Sequence, residues 1–245
     1  MSEQKVAIVT GASRGIGHGV AQRFRDLGWR VITVSRGPVP DQCPWASELN
    51  THVQLDLADL EQIKHTVEAL RPLLGSSKLH ALVNNAGVSP KGPTGERVNS
   101  LTTDLTVWQQ MYNANFYAPL ILTRGFAQEL SNAHGSVVNL CSIAGYRVHP
   151  FAGAAYATSK AALAALTREM AADMASMNVR VNAIAPGEIN TSILSPGTSK
   201  IVDNDIPMHR LGEVSEVVDL IEFLCSPKAS YITGAEIAID GGQRV

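Results

Sequence analysis

The chain has 245 residues, of which 45% are hydrophobic and 17% charged, and its formal net charge is −2. This length and apolar content can bury a large core in one domain, which we expect to span residues 1–245. The small net charge, without a basic run, gives no reason to expect nucleic acid or an anionic membrane as a partner. The polar start and the lack of a membrane-length apolar run predict a cytoplasmic protein.

Short β-branched runs alternate with amphipathic helical stretches, the pattern of a parallel sheet covered by helices on both faces. The predicted strands are Val6–Thr10, Arg30–Ser35, His52–Leu55, Leu79–Asn84, Ser136–Leu140, Val179–Ala183 and Glu236–Ile239. The predicted helices lie near Gly15–Leu27, Leu60–Leu73, Leu105–Leu130, Ala155–Met177 and Val214–Leu224. The predicted Pro-rich or Gly-rich loops are Gly37–Trp45, Ser89–Gly95 and Ser195–Thr198. We therefore predict an α/β fold, a Rossmann-type doubly wound sheet of seven mostly parallel strands with helices on both faces.

A glycine-rich turn, Gly11 to Gly17, follows the first predicted strand. A turn without Cβ atoms lets the backbone approach a ligand closely, and the helix after it offers free N–H groups and a positive dipole end. These features suit a pyrophosphate. The three cysteines, Cys43, Cys141 and Cys225, lack the spacing of a metal site or a redox pair, so we expect reduced thiols and no metal.

Tyr156 stands four residues before Lys160, so the two share a helix face, and Ser142 lies upstream. A phenol has an ordinary pKa of about 10, too high for proton transfer near neutrality. We expect the Lys160 ammonium to lower that pKa, since an opposite charge nearby shifts a pKa by roughly 1–3 units. Alone, such a pair is usually a surface contact and Ser142 a turn cap. Together with the glycine turn they indicate hydride transfer to or from a carbonyl.

These motifs resemble the short-chain dehydrogenase/reductase family, specifically the subgroup known as classical, and the similarity extends to residues 240–242. The turn from Gly11 to Gly17 looks like that family's cofactor turn, and Asn84 to Gly87 like the motif that ends its fourth strand. The segment Pro186–Thr191 resembles the part that contacts the nicotinamide. The resemblance implies a catalytic tetrad of Asn115, Ser142, Tyr156 and Lys160.

The resemblance also implies a role for each of these groups. Tyr156 would give its proton to the carbonyl oxygen, Ser142 would hydrogen-bond that oxygen, and Lys160 would also bind the nicotinamide ribose. Asn115 would help to hold a water chain, a role that the local chemistry alone does not indicate. The expected cofactor-binding residues are Gly11, Ser13, Arg14, Gly15, Ile16, Gly17, Arg36, Asp56, Leu57, Asn85, Ala86, Gly87, Tyr156, Lys160, Pro186, Gly187, Ile189 and Thr191.

The choice between NAD and NADP can be argued from charge. An NAD site of this fold usually has Asp or Glu at the end of the second strand, where this chain has Ser35 and Arg36. Arg14 and Arg36 are placed to bind a 2′-phosphate, so NADP(H) is favoured and NAD(H) stays possible. The alternative is that both arginines stack on adenine or face solvent. Asp56 resembles the family residue that binds the adenine amino group, but could equally be a turn residue.

Two segments are expected to shape the substrate pocket. Val88–Leu101 is long and would bring Lys91, Glu96 and Arg97 to the ligand-binding edge of the sheet. Glu188–Leu211 occupies the position of the family's mobile lid. The candidate pocket residues are Ile143, Tyr146, His149, Phe151, Glu188 and His209.

We therefore expect an NADPH-dependent oxidoreductase that reduces a ketone or 3-oxoacyl substrate, resembling the 3-oxoacyl-[acyl-carrier-protein] reductases. One alternative is an NAD(P)-dependent polyol, sugar or secondary-alcohol dehydrogenase. Another is a nucleotide-sensing protein without turnover, against which the intact tetrad argues. The resemblance also implies a homo-oligomer, a tetramer or a dimer, packed through Leu105–Leu130 and Ala155–Met177. The small residues of the second helix could instead simply cover the sheet.

Overall fold

The central sheet has seven strands, all parallel, in the order β3-β2-β1-β4-β5-β6-β7. The computed structural model describes residues 4–38, 43, 51–92, 95–192, 194 and 197–245. The strands are β1 (Val6–Thr10), β2 (Arg30–Ser35), β3 (His52–Gln54), β4 (Ala81–Asn84), β5 (Ser136–Leu140), β6 (Arg180–Pro186) and β7 (Glu236–Ile239). The helices are α1 (Gly15–Asp26), α2 (Leu60–Leu70), α3 (Leu105–Tyr112), α4 (Ala118–Gly125), α5 (Ala127–Ala133), α6 (Ala154–Met174), α7 (Thr198–Asn204) and α8 (Val214–Cys225). The predicted doubly wound sheet is confirmed.

Each face of the sheet buries its own core. Val6 and Ile8 of β1 pack into a core with α2, α4 and α6. Ala7 and Val9 pack on the opposite face with α1 and α8. Successive side chains of a strand alternate between faces, and both faces here are covered by helices, so the strand is apolar throughout. The strand order reverses direction between β1 and β4, which opens a crevice at the carboxyl ends of these strands.

The prediction of a single helix over Leu105–Leu130 is wrong, because three helices cover this stretch. A π turn, Asn113–Tyr117, separates α3 from α4, and α5 begins at Ala127. A π turn inserts one extra residue, which the spacing of apolar positions does not register. This turn contains Asn115.

The segment Glu188–Leu211, predicted as a loop, contains α7. Gly197 precedes that helix with φ of +88°, a conformation that favours glycine. Ile189 pairs with Gly212, which closes the base of the segment. Within the predicted loops, residues 39–42, 44, 45, 93, 94, 195 and 196 lie outside the described residues. In the part of the chain that is described, no helix has the length and apolar character needed to span a membrane.

A polar network crosses the middle of the sheet. Asn84 Nδ2 on β4 donates to Asn139 Oδ1 on β5 at 2.8 Å. Asn139 Nδ2 donates to Thr167 Oγ1 on α6 at 2.9 Å, and that hydroxyl donates to the Leu163 carbonyl oxygen at 2.8 Å. All three polar side chains are buried. Asn84, the last residue of β4, therefore joins β4 to β5 and, through Asn139, to α6.

We expect Asn139→Ala to lower the free energy of unfolding by at least about 2 kcal/mol, because it removes the 2.8 Å acceptor of the buried Asn84 amide and the donor to the buried Thr167 hydroxyl, and leaves a cavity. Urea unfolding measures the change. The matched control is Asn204→Ala, at an exposed position of α7, which should stay within about 0.5 kcal/mol of the parent. Equal losses in the two variants would contradict the structural role of the network.

Candidate functional site

The glycine turn after β1 packs directly against the segment that follows β4. Asn85 Nδ2 donates to the carbonyl oxygens of Thr10 at 2.9 Å and Gly11 at 3.1 Å. A Cβ on Gly17 would lie 2.4 Å from Asn85 Nδ2 and 2.5 Å from the Gly11 oxygen, which leaves no space for a side chain. Gly11 and Gly15 have φ of +68° and +58°, which L side chains rarely adopt. The first N–H groups of α1 carry no side-chain cap, so they are available to an anion.

Two further predicted segments meet this turn. The Ala86 N–H donates to Thr10 Oγ1 at 3.1 Å. The Thr191 methyl group lies 3.6 Å from the position that a Cβ on Gly15 would take. A Cβ on Gly187 would lie 2.8 Å from Gln243 Oε1, so the chain end packs against this glycine. The structure therefore brings the turn and the segments after β4 and β6 to one edge of the sheet.

The end of β2 lies beside the same turn. Thr10 pairs with Val34, and the Gly11 N–H donates to the Val34 oxygen at 2.7 Å. Arg14 and Arg36 are both exposed here. Asp56, also exposed, accepts a hydrogen bond from the Ala58 N–H at 3.0 Å, as a turn residue does, and Leu57 is buried. Half-buried Ser13 and Ile16 complete the predicted turn.

His52 fixes the backbone next to Arg36, a role that sequence reasoning missed. His52 Nε2 and Ser35 Oγ each lie 2.9 Å from the Gly37 carbonyl oxygen. Thr33 Oγ1 lies 2.9 Å from His52 Nδ1. These contacts depend on the pairing of β2 with β3, which no local motif marks.

Tyr156 and Lys160 lie on α6, and Ser142 precedes a short 3₁₀ turn after β5. Lys160 Nζ is 5.8 Å from the centroid of the Tyr156 ring and donates to the Leu140 carbonyl oxygen at 2.5 Å. A Cβ on Gly87 would be 3.3 Å from Lys160 Nζ, so the ammonium reaches the segment after β4. Ser142 Oγ accepts a hydrogen bond from the Ala144 N–H at 3.2 Å.

Burial is the largest influence on the pKa of both Tyr156 and Lys160. It raises the pKa of the Tyr156 phenol, while hydrogen bonding with Ser142 lowers that pKa and the Glu188 charge raises it further. Burial also lowers the pKa of Lys160 to about 8. The protein's own groups therefore shift the Tyr156 pKa upward, and the combined effect expected of Lys160 and the positive charge of an oxidised nicotinamide stays a prediction. The upward shift arises because the phenol is desolvated and Lys160 donates to Leu140 instead.

The Asn115 side chain holds the scaffold together. Its Oδ1 accepts from the Val88 N–H at 2.8 Å, and its Nδ2 donates to the Val88 oxygen and to Ser159 Oγ, both at 3.0 Å. Ser159 directly precedes Lys160 on α6. The π turn thus links the segment after β4 to α6, and the amide itself makes these contacts rather than a contact with Tyr156.

The predicted pocket residues divide into two groups. His149 Nε2 lies 2.8 Å from Glu188 Oε1, and the Phe151 N–H donates to His149 Nδ1 at 3.2 Å. Tyr146 is half exposed, with its ring 5.4 Å from the Arg244 guanidinium. Ile143 is buried, and His209 is exposed. The structure therefore brings His149, Phe151 and Glu188 together and leaves Tyr146 and His209 on the surface.

We expect Gly17→Ala to weaken the binding of a nicotinamide dinucleotide at least about 10-fold, because its Cβ would displace the Asn85 amide that shapes the turn. Isothermal titration calorimetry with NADPH and NADH measures this change. Gly28→Ala is the control: that glycine has φ of +79° but nothing within 4 Å of its Cβ position. It should lower stability and leave the affinity unchanged; a similar loss of affinity in both variants would contradict the role of Gly17.

Comparison with known proteins agrees with this geometry. The family model described as enoyl-(acyl carrier protein) reductase matches residues 11–244. Protein FixR of Bradyrhizobium diazoefficiens is 52% identical over 244 residues, covering 99% of this chain and 88% of the relative. The 3-oxoacyl-[acyl-carrier-protein] reductase FabG of Aquifex aeolicus is 31% identical, covering 97% of this chain and 96% of its own length.

A solved structure extends the comparison. An oxidoreductase of the short chain dehydrogenase/reductase family from Brucella ovis, in complex with a partially ordered NAD, is 51% identical with a TM-score of 0.84. The match covers 97% of this chain and 100% of the Brucella ovis chain. The chain therefore belongs to the short-chain dehydrogenase/reductase family, whose members are oxidoreductases acting on alcohol and ketone groups.

Proposed function

We propose that this protein is an NADPH-dependent carbonyl reductase in which Tyr156 is the proton donor. One observation carries the proposal: Tyr156 and Lys160 of α6 lie together at the end of β5, and Lys160 reaches Gly87 beside the glycine turn. This arrangement supports a site in which the cofactor, as hydride donor, and Tyr156, as proton donor, lie at the same edge of the sheet. A protein that only binds nucleotides has no need of this phenol and ammonium.

A nicotinamide cofactor held along the glycine turn would supply the hydride. Burial raises the pKa of Tyr156, so the phenol is protonated at neutral pH and can donate to the carbonyl oxygen. The Ser142 hydroxyl, hydrogen-bonded to that phenol, would donate to the same oxygen as negative charge develops on it. Lys160 would bind the ribose hydroxyls. A phenol held in its neutral form favours the reductive direction over alcohol oxidation.

The exposed pair Arg14 and Arg36 supports NADPH as the preferred cofactor. The turn and the end of β2 are joined by the Gly11 to Val34 hydrogen bond, which supports an assignment of both guanidinium groups to the adenosine end of the site. Guanidinium groups bind phosphate through two parallel hydrogen bonds. The Brucella ovis relative is in complex with NAD, which makes the cofactor preference a direct point to test.

We expect Tyr156→Phe to lower kcat for carbonyl reduction by about 100-fold to 10,000-fold while NADPH binds within about 3-fold of the parent, because only the proton donor is lost. The assay follows NADPH oxidation with ketones, diketones and 3-oxoacyl thioesters. Phe116→Tyr, which adds a phenol hydroxyl to a ring that packs beside Tyr112 and Tyr117 at the π turn, serves as the conservative control. Parent-like turnover by Tyr156→Phe would overturn the mechanism, and a parent that consumes neither cofactor would overturn the function.

We expect Arg36→Leu to raise the KM for NADPH by about 10-fold to 100-fold and to change the KM for NADH by less than about 3-fold, since one charge-assisted pair contributes about 1.5–3 kcal/mol. Steady-state kinetics with both cofactors measures the split. Arg124→Leu, at an exposed position of α4, is the control. A parent that prefers NADH, or an Arg36→Leu variant equally impaired with both cofactors, would contradict the assignment of the 2′-phosphate.

A further inference from the structure

The segment Val88–Leu101 is fixed to the loop that precedes α6. Lys91 Nζ donates to the Phe151 carbonyl oxygen, and Arg97 Nε donates to the Ala152 carbonyl oxygen at 2.8 Å. A Cβ on Gly153 would lie 2.3 Å from the Val98 side chain, so the two backbones are in close contact. These contacts fall three to five residues before Tyr156. The described parts of the segment, residues 88–92 and 95–101, therefore form a wall against the chain just before the proposed proton donor.

The Lys91 ammonium lies in a cluster with Phe151, His149 and Glu188. Its Nζ is 6.0 Å from the centroid of the Phe151 ring, and that ring is 6.1 Å from the His149 ring. His149 in turn contacts Glu188, and the side chains of that pair are only 9% and 14% exposed. The cluster joins the segments that follow β4, β5 and β6.

The chain itself brings this cluster next to the proposed proton donor. Phe151, whose carbonyl oxygen accepts a hydrogen bond from Lys91, lies three residues before α6 begins and five residues before Tyr156. The Glu188 charge raises the pKa of Lys91, against the larger lowering by burial, and it also raises the pKa of Tyr156, in keeping with this placement.

The Lys91 ammonium has more N–H donors than the hydrogen bond to Phe151 uses. An ammonium carries three N–H groups, and the neutral Phe151 carbonyl accepts one. Among the ion pairs of the described residues, none includes Lys91. Glu188, the carboxylate whose charge acts on Lys91, is already bound by His149. A half-buried cation with unused donors beside a reaction site is suited to an anionic group of the substrate.

We propose that Lys91 binds a carboxylate of the substrate and that this protein acts on short oxo acids, with their hydroxy acids as products. This inference rests on the reductase function proposed above. The carbonyl would meet Tyr156 and Ser142, and the carboxylate would meet Lys91. The hydride of NADPH goes to the carbonyl carbon and the Tyr156 proton to the oxygen, giving NADP⁺ and a hydroxy acid whose carboxylate is unchanged.

The test compares isomeric oxopentanoates, in which the distance from carbonyl to carboxylate varies, with their neutral methyl esters. The parent should prefer at least one acid over its ester by about 10-fold or more in kcat/KM. Lys91→Met should reduce this acid-to-ester preference by about 10-fold to 100-fold, mainly through the KM for the acid. Lys91→Arg should retain part of the preference, which excludes a fault in folding. Lys64→Met, an exposed lysine of α2, should keep the parental preference.

Two results would overturn the inference while leaving the reductase function intact. One is a parent that reduces esters or other ketones as well as it reduces the acids. The other is a Lys91→Met variant that loses activity equally with acid and ester, which would assign Lys91 to the fold of the wall alone. A parent that reduces no carbonyl compound with either cofactor would overturn both the inference and the proposed function.

Discussion

The two hydrogen bonds that Asn85 donates to the Thr10 and Gly11 carbonyl oxygens determine where the rest of the site can lie. They join the ends of β1 and β4, the two neighbouring strands at which the order of the strands in the sheet reverses. The amide occupies the space into which a side chain at Gly17 would project, so the turn can close only with glycine there. Because the turn is narrow, the first N–H groups of α1 can face a ligand at close range. The shape of this edge thus depends on one partly buried amide.

Desolvation then acts in the same chemical sense on both reacting side chains. It raises the pKa of Tyr156 and lowers that of Lys160 to about 8, so each is shifted toward its neutral form. Lys160 donates to the Leu140 carbonyl oxygen. A phenol whose pKa is raised keeps its proton at neutral pH, in keeping with the role of proton donor proposed above. A bound cofactor would offer the ammonium other acceptors and so change the charge near the phenol.

The sequence was sufficient where the pattern is local. The strands and most helices are predicted by apolar periodicity, and the glycines from Gly11 to Gly17 predict the turn. The π turn at Asn113–Tyr117 was missed because its apolar spacing still resembles a continuous helix. Likewise, no local signal marks the contact of His52 with Gly37 or that of Lys91 with Phe151. Both depend on which strands become neighbours, a property of the whole sheet. The upward effect of burial on the pKa of Tyr156 is not visible in the sequence for a related reason, since burial cannot be read from residue spacing.

The segment after β6 connects the two halves of the site. Thr191 packs beside Gly15 of the turn, whereas Glu188, three residues earlier, binds His149 on the substrate side. Between them Ile189 is buried and paired with Gly212, which keeps the two contacts in fixed register. Glu188 and His149 lie on the segments after β6 and β5, whereas the glycine turn is closed by hydrogen bonds to its own backbone and has no space for a side chain at Gly17. Loops tolerate substitution better than the elements that they connect. With Lys91 and Glu188 on the substrate side, as proposed above, a protein of this architecture can change its substrate through such residues without disturbing the turn and the Asn85 amide.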